Sequence, residues 1–381
     1  MTRVLEINDP SQLENYRLLW QSLLPATPGA SFFHSLDWLQ TYWQFYGHDQ
    51  TLRVFIVYSA GQPVGILPLV VRSESTRLGS VRVLTYPLND WGTFYGPIGP
   101  NPTATLVAGL GHIRRTTRDW DLLDLRWVDR FGRDYGRTRR AMNVAGFPHQ
   151  ELPMSKCAKI DLHGTWDQYW ASRTSHWRTN VRSCERKLAA LGRVSYVRYR
   201  PDGIGHGDDN PRWDLYDACE QVARASWQGS STSGTTLTHP EIRDYLRAAH
   251  ETAVKAGAAD INLLYVDDRP VAFNYAYQYR GYVFGLRMGY DPQVSNGAGT
   301  VLQRRMIEDC FARGDRTYDL GADYLSCKRF WPTRFVESYR YTYYPARPVA
   351  QALRVKRRIG AWLSADGEAS NARASKSTAA R

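Results

Sequence analysis

The stretch Gly289–Leu302, GYDPQVSNGAGTVL, decides how the second half of this 381-residue chain folds. A strand-like run ends at its first residues, and apolar residues at helical spacing follow from Ala298 onward. Gly297 and Gly299 flank the predicted helix start, where free backbone N–H groups and the helix dipole favour an anion. The sequence therefore predicts a strand, a turn and a helix whose start can hold a phosphate group. Relief of a tight turn would explain the two glycines equally well.

Outward from this stretch, one order of elements occurs twice. A hairpin over 261–279 is followed by a strand over 282–290, a helix over 298–312 and a strand over 317–320. The first half has the same order of elements: a hairpin over 53–72, a strand over 81–86, a helix over 103–117 and a strand over 122–128. Within the two hairpins, Pro63-Val64-Gly65 aligns with Pro270-Val271-Ala272. The repetition favours a duplicated α/β unit, with domains at 1–152 and 153–345 and a tail at 346–381.

The charge of the chain is concentrated in two short segments. The net charge is +12, of which residues 154–200 carry +7 and residues 346–381 carry +6, so the remainder is nearly neutral. A general nucleic-acid coat would spread its basic residues more widely, so two local sites are the better interpretation, and direct DNA binding is not predicted.

The cysteines and the hydropathy of the chain indicate the cellular compartment in which the protein acts. The five cysteines include no CxxC pair, and their odd number argues against a full disulfide framework. The first ten residues are not apolar enough for a signal peptide, and the longest apolar run, Val64–Val71, is far too short for a membrane span. The histidines show no ligand spacing. We therefore predict a cytoplasmic protein that uses no metal.

The first basic segment contains a predicted helix over 173–191. An apolar stripe begins at Trp177, and Arg178, Arg182 and Arg186 recur every fourth residue on another face. Like charges at that spacing disfavour a helix slightly, so an anionic partner would relieve a cost. Carboxylates from elsewhere in the fold would do the same, and both interpretations stay open.

The tail from residue 346 divides into two parts. Residues 349–363 form a predicted amphipathic helix with Ala352, Val355 and Trp362 on its apolar face and basic residues opposite, and 364–381 are predicted to be disordered. The helix either packs on the body of the protein or contacts anionic lipid as a peripheral element at the inner membrane face.

Several segments together resemble the acetyltransferase family that includes the cellulose-biosynthesis protein CelD, within the GNAT superfamily, with the Fem aminoacyltransferases as relatives. The matching segments are Phe32–Trp38, Gly61–Leu69, Ser175–Arg182, Gly289–Leu302, Tyr318–Tyr324 and Lys328–Trp331. Their order and spacing cover about residues 30–345. The resemblance implies two tandem GNAT-like α/β domains with mixed sheets flanked by helices.

The resemblance also implies an activity and a donor site. The expected reaction is transfer of an acyl group, acetyl in the first instance, from acetyl-CoA or another acyl-CoA to an amine or hydroxyl of an envelope or exopolysaccharide-related acceptor. The donor diphosphate is expected at Gly297, Ala298, Gly299 and Thr300. One departure is that the superfamily usually has Arg or Gln three residues before the first glycine, whereas Val294 stands there and Gln293 lies one place too early.

Transfer to an amine requires a proton acceptor and donors to the thioester oxyanion. The catalytic candidates are Asp90, Asp319, Asp323 and Tyr324. Asp319 falls within a strand pattern, which also suits a buried structural carboxylate. The substrate-binding candidates are Arg178, Arg182, Trp227, Asn274 and Lys328, of which Lys328 corresponds to a lysine that lies at the cleft in the family.

Two other functions remain open at this point. In the first, the fold takes its acyl group from an aminoacyl-tRNA, as Fem relatives do, although no long helical hairpin with heptads is visible in the sequence. In the second, the protein is a degenerate transferase that binds an anionic polysaccharide without turnover, for which the altered phosphate loop is the best argument.

Overall fold

The computed structural model describes residues 2–77, 79–88, 91–231, 236–322 and 325–358. Asp90, Asp323 and Tyr324 lie outside the described residues, as do Trp362 and the segment predicted to be disordered.

One mixed sheet runs through the described part of the molecule. Its twelve strands have the spatial order β1-β2-β3-β4-β5-β12-β6-β11-β10-β9-β8-β7. In chain order they are β1 Thr2–Ile7, β2 Gln50–Ser59, β3 Gln62–Thr76, β4 Gly79–Thr85, β5 Leu122–Val128, β6 His149–Asp161, β7 Val194–Tyr199, β8 Ala259–Val266, β9 Arg269–Tyr279, β10 Tyr282–Tyr290, β11 Thr317–Asp319 and β12 Arg334–Tyr343.

The two halves of the sheet have the same topology. Strands β1 to β4 form an antiparallel series, and β5 joins β4 in parallel. Strands β7 to β10 likewise form an antiparallel series, and β11 joins β10 in parallel. The predicted duplication is confirmed, and so is the predicted fold class of mixed α/β sheets flanked by helices.

The sixth strand of each half pairs with the other half. Strand β6 follows the first five strands in the chain but pairs with β11, whereas β12, at the end of the second half, pairs with β5. The two exchanged strands also pair with each other in the middle of the sheet. The domain boundary predicted after residue 152 falls inside β6, and the division stays a prediction.

Helices cover both faces of the sheet, so strands such as β5 and β8 are buried on both sides. The helices are α1 Arg17–Leu23, α2 Leu36–Tyr46, α3 Pro102–Arg115, α4 Arg137–Val144, α5 Trp166–Ala171, α6 Ser175–Ala189, α7 Trp213–Ala225, α8 Pro240–Lys255, α9 Ala298–Ala312 and α10 Leu325–Lys328. Successive side chains of β9 point to opposite faces of the sheet. Phe273 and Tyr275 pack in the core with α7 and α8, whereas Ala272 packs with α9 on the other face. Among the described residues, no helix combines the length and apolar character needed to cross a bilayer.

Helix α2 of the first half packs against α8 of the second. The hydroxyl groups of Thr41 and Thr252 are 2.8 Å apart across this contact. The ring of Phe33 also makes edge contacts with Tyr277 and Phe284 of the second half. The halves therefore share a core as well as a sheet.

Residues 348–358 are helical, in agreement with the prediction for the start of the tail. Ala350 and Leu353 are buried and pack with Val81, Val83 and Leu122. Ala352 and Val355 are exposed, so the sequence pattern assigned the wrong side chains to the packed face of this part of the helix.

Candidate functional site

The candidate site lies where β10 and β11 separate. The two strands are paired in parallel from Tyr282 with Thr317 to Phe284 with Asp319, and the pairing ends there. Strand β10 continues to Tyr290, with a register shift against β9 between Gly285 and Arg287. The carboxyl ends of two parallel strands thus diverge into a crevice, the place where open α/β sheets bind ligands.

A tight loop joins β10 to α9. Asp291 is 3% exposed, and its carboxylate accepts hydrogen bonds from the Gln293 N–H at 2.9 Å and from Arg269 at 2.7 Å. The Ser295 hydroxyl oxygen accepts from the Gly297 N–H at 3.1 Å. These bonds close the loop and place the start of α9 directly beside the end of β10.

Close packing explains both glycines at the start of α9. A Cβ atom on Gly297 would lie 2.8 Å from the Cβ of Cys184 in α6, and one on Gly299 would lie 2.9 Å from the ring of Tyr290. Within the described ranges, the N–H groups of Gly299 and Thr300 have no hydrogen-bond partner. Two free donors and the positive end of a fifteen-residue helix therefore remain for an anion.

The segment after α7 crosses β10. The Gln228 side chain donates to the carbonyl oxygen of Met288 at 3.1 Å and accepts from the Leu237 N–H at 3.2 Å. Asn274 is paired with Met288 across β9 and β10 and is 3% exposed, and its Oδ1 has no partner in the described part of the chain. Trp227, next to Gln228, is 42% exposed. Gln228 lies on the same side of the sheet as Phe273, whereas Asn274 alternates with Phe273 and faces the other side. Asn274 and the segment that contains Trp227 are therefore both next to β10 but on opposite faces of the sheet.

A loop from the first half reaches the same crevice. The guanidinium of Arg287 on β10 lies 5.8 Å from the ring centre of Trp91, which is in turn 4.7 Å from that of Tyr245 on α8. The residue before Trp91 is the candidate Asp90, which lies outside the described residues. First-half residues thus line the edge of a site that the second half carries.

Asp319, at the end of β11, is fully buried and is hydrogen-bonded on both oxygens. Its carboxylate accepts from the Tyr282 hydroxyl, from the Thr93 hydroxyl at 2.9 Å and from the Gly321 N–H at 2.9 Å. The ammonium of Lys159 on β6 lies 3.4 Å away. Burial by itself would raise the pKa of Asp319, but the charge of Lys159 and the hydrogen bonds hold it below its usual value.

Lys159 is 2% exposed, and its ammonium also lies 3.9 Å from the ring centre of Phe94. Burial lowers the pKa of Lys159, and the nearby carboxylate of Asp319 opposes that shift. Sequence reasoning did not select Lys159, Tyr282 or Thr93. A signal was present for Lys159, since it is one of seven lysines and stands in an otherwise apolar run, Cys157–Ile160.

Helix α6 lies against α9. Trp177 stacks on Phe330 with ring centres 4.5 Å apart. Arg178 is half-buried and Arg182 and Arg186 are exposed, and none of the three forms an ion pair with the residues that the structure describes. The carboxylate balance that the sequence left open is therefore not seen for this stripe.

The last candidate, Lys328, ends the short helix α10 and lies close to Gly321 at the end of β11. It thus follows Asp319 at the mouth of the crevice. Across the described ranges, no group of His, Cys, Asp and Glu side chains could hold a metal ion.

Comparison with known proteins agrees with this geometry. Residues 175–329 match the family described as an acetyltransferase (GNAT) domain. That range contains α6, the β10–α9 loop and the end of β11, so a GNAT-type acetyltransferase domain carries the crevice. The membership in the CelD group that the sequence predicts is not decided by this match.

Solved structures show the same fold over nearly the whole chain. The crystal structure of FemX has 12% identity and a TM-score of 0.61, and the alignment covers 92% of this chain and 99% of that chain. The structure of L-PGS from Bacillus licheniformis has 14% identity and a TM-score of 0.55, with 93% and 98% covered. No curated protein sequence matches the chain.

Proposed function

We propose that the protein transfers an acyl group, acetyl in the first instance, from acyl-CoA to an amine or hydroxyl group. The observation that carries this proposal is the crevice between β10 and β11 together with the start of α9. The diphosphate of the donor would accept hydrogen bonds from the free N–H groups of Gly299 and Thr300. The thioester would then extend along the unpaired side of β10.

The reaction forms a bond between the acceptor nitrogen or oxygen and the thioester carbonyl carbon, and it expels the CoA thiolate. Backbone N–H groups on the open side of β10 are suited to hold the oxyanion of the intermediate. Asp319 is a poor base because both of its oxygens are already engaged. Asp319 is therefore assigned a positioning role, and Asp90, Asp323 and Tyr324 remain the candidates for the base.

The proposed acceptor is an envelope or exopolysaccharide-related molecule. Trp227 is 42% exposed, whereas Trp91, beside Arg287, is 7% exposed. The exposed ring of Trp227 offers a flat aromatic surface of the kind that suits the face of a sugar ring. The acceptor would reach the thioester from this side, opposite α9.

The donor site can be tested with one isosteric pair of variants. Thr300 is the third residue of α9. An aspartate there favours the helix through its dipole but repels a diphosphate, whereas asparagine has the same shape and no charge. We expect T300D to weaken acetyl-CoA binding by about tenfold or more and T300N to bind much like the wild type, as measured by titration calorimetry. Equal binding by the two variants, or no binding of acetyl-CoA and longer acyl-CoAs by the wild type, would refute the proposed donor site.

An aminoacyl-tRNA donor is the second candidate. It is favoured by the stripe of Arg178, Arg182 and Arg186, which forms no ion pair with the described residues. A row of cations at helical spacing suits the phosphates of an RNA backbone. In this case transfer activity in a cell extract would fall steeply after ribonuclease treatment, whereas acetyl-CoA-dependent transfer would persist.

The protein is proposed to act in the cytoplasm, with the exposed side of the helix at 348–358 as a candidate contact for anionic lipid. Val355 is 56% exposed and lies among Arg354, Lys356 and Arg358. Co-sedimentation with anionic vesicles, compared with a chain ending at Pro345, tests this contact.

A further inference from the structure

A second cleft, of about 660 Å³, opens at the opposite end of the central strands of the sheet. Strands β5 and β6 end beside this cleft, and β10, β11 and β12 begin there. This follows from the strand directions, since β11 runs antiparallel to β6, and β12 runs antiparallel to both β5 and β6. The start of α9 lies beyond the other end of β10. The second cleft therefore opens away from the proposed donor site at the start of α9, and Lys159, which lines it, is the ion-pair partner of Asp319.

Positively charged side chains dominate the walls of this cleft. Five cations and one carboxylate line it: Arg133, Lys159, Arg280, Arg316, Arg334 and Asp129. Three of the cations have carboxylate partners, in the pairs Lys159–Asp319 at 3.4 Å, Arg334–Asp161 at 2.8 Å and Arg133–Asp129 at 4.0 Å.

Arg280 and Arg316 have no carboxylate partner among the described residues. The Arg280 guanidinium donates to the carbonyl oxygen of Pro25 at 3.3 Å, and that of Arg316 donates to the carbonyl oxygen of Arg280 at 2.6 Å. These bonds hold the two guanidinium groups at the cleft but leave both positive charges uncompensated. Two positive charges in one cleft, neither paired with a described carboxylate, match the double negative charge of a phosphate monoester near neutral pH.

A smaller cavity lies beside the cleft. Arg133 and Asp129 line both spaces, and Tyr95 and Asp134 line the smaller one. Tyr95 is 5% exposed, and its hydroxyl has no hydrogen-bond partner within the described ranges, as is the case for one oxygen of Asp134. Unpartnered buried polar groups are costly, so a hydrogen-bonding group of a ligand would stabilise this end.

Aromatic rings line the outer part. Tyr135 is 63% exposed, and Tyr279 also faces the cleft. Arg133 lies between the two ends, with its guanidinium 4.7 Å from the ring centre of Tyr282. The cleft therefore combines a cationic wall, ring faces and an unsatisfied polar end.

We propose that this cleft binds a small phosphate ester. Arg280 and Arg316 hold its phosphate group, since guanidinium groups bind phosphate oxygens through paired N–H donors. The organic part of the ester lies against Tyr135 and Tyr279 and extends toward Tyr95. The site is a second binding site on the molecule and does not depend on the identity of the acyl donor.

Titration calorimetry with inorganic phosphate, glucose 1-phosphate and glucose tests the proposal. The wild type is expected to bind the two phosphate compounds and not glucose. The double variant R280A/R316A is expected to bind both about tenfold more weakly or worse, because two charge-assisted contacts are lost.

The matched control is R77A/R305A. It removes two exposed arginines that form no ion pair with described residues and lie outside the cleft. This variant should bind as the wild type does. The proposal is overturned if neither phosphate compound binds the wild type, or if R280A/R316A binds them as tightly as R77A/R305A does.

Discussion

Asp319→Asn is expected to destabilise the protein more than Lys159→Met does, although the two residues form one ion pair. In Asp319→Asn, the ammonium of Lys159 stays 2% exposed with the Tyr282 hydroxyl at 3.5 Å and the ring of Phe94 as its neighbours. A buried charge that loses its partner in this way costs about 3–5 kcal/mol.

In Lys159→Met, the carboxylate keeps three hydrogen-bond donors, which are Tyr282, Thr93 and Gly321. The lost contact, at 3.4 Å, is a long one, and methionine fills a similar volume. The expected cost is therefore smaller, about 1–2 kcal/mol.

Urea unfolding of the wild type and of the two variants measures the difference. Asp161→Asn, in the same strand, is the control, because its ion pair with Arg334 is partly exposed and is expected to contribute less than about 1 kcal/mol. The destabilisation by Asp319→Asn should also shrink as the pH is raised, since burial lowers the pKa of Lys159 and its ammonium loses its proton in the folded state before an exposed lysine would. A larger loss in Lys159→Met than in Asp319→Asn would refute this account of the cluster.

Three further predictions concern other parts of the chain. Burial would raise the pKa of Asp260, but Arg198 and Arg200 lower it to about 2. The carboxylate therefore contributes fully to stability above about pH 4, and this contribution is lost as the pH falls toward about 2. The difference in unfolding free energy between the wild type and Asp260→Asn should narrow over the same range. Leu353→Ala should detach the helix at 348–358 because it removes a buried side chain, with a loss of about 2–3 kcal/mol in the free energy that holds the helix in place. Faster amide hydrogen exchange in this helix would show the loss. Val355→Ala, at an exposed position, should leave the exchange unchanged. The double variant R178A/R182A should raise the KM for an anionic substrate. It should not lower the melting temperature, because neither arginine pairs with a carboxylate in the described part of the chain. An unchanged KM would remove both arginines from the substrate site.

Local patterns predicted most of the elements around the site. The strand Tyr282–Tyr290 and the helix Ala298–Ala312 have the bounds that the sequence predicts, because alternation and helical spacing of apolar residues are properties of neighbouring positions. Both hairpins also form where the sequence predicts them, although their strands extend a few residues beyond the predicted bounds. The packed face of the tail helix was mistaken, since residues on β4 and β5, far away in the chain, decide which side is covered.

The candidate site was predictable in part. Gly297–Thr300 and Asn274 were selected from the sequence, and they lie at the start of α9 and on β9 next to β10. Trp227, also selected, precedes Gln228, whose side chain contacts β10. Gln228, Lys159 and Thr93 were missed, because their roles depend on contacts with Met288 and Asp319, which are far from them in sequence.

The sequence by itself determined a duplicated α/β chain, with a strand, a tight loop and a helix positioned to receive an anion. The exchange of the sixth strands was decided by the tertiary structure alone. Through that exchange, Lys159 of β6 meets the buried Asp319 of β11, and Arg340 of β12 meets the buried Asp124 of β5. A buried carboxylate needs a cation close by in space. Asp124 has one in its own strand, Arg126 at 2.9 Å, but Lys159 and Arg340 come from strands that are far away in the chain, which no local pattern reports.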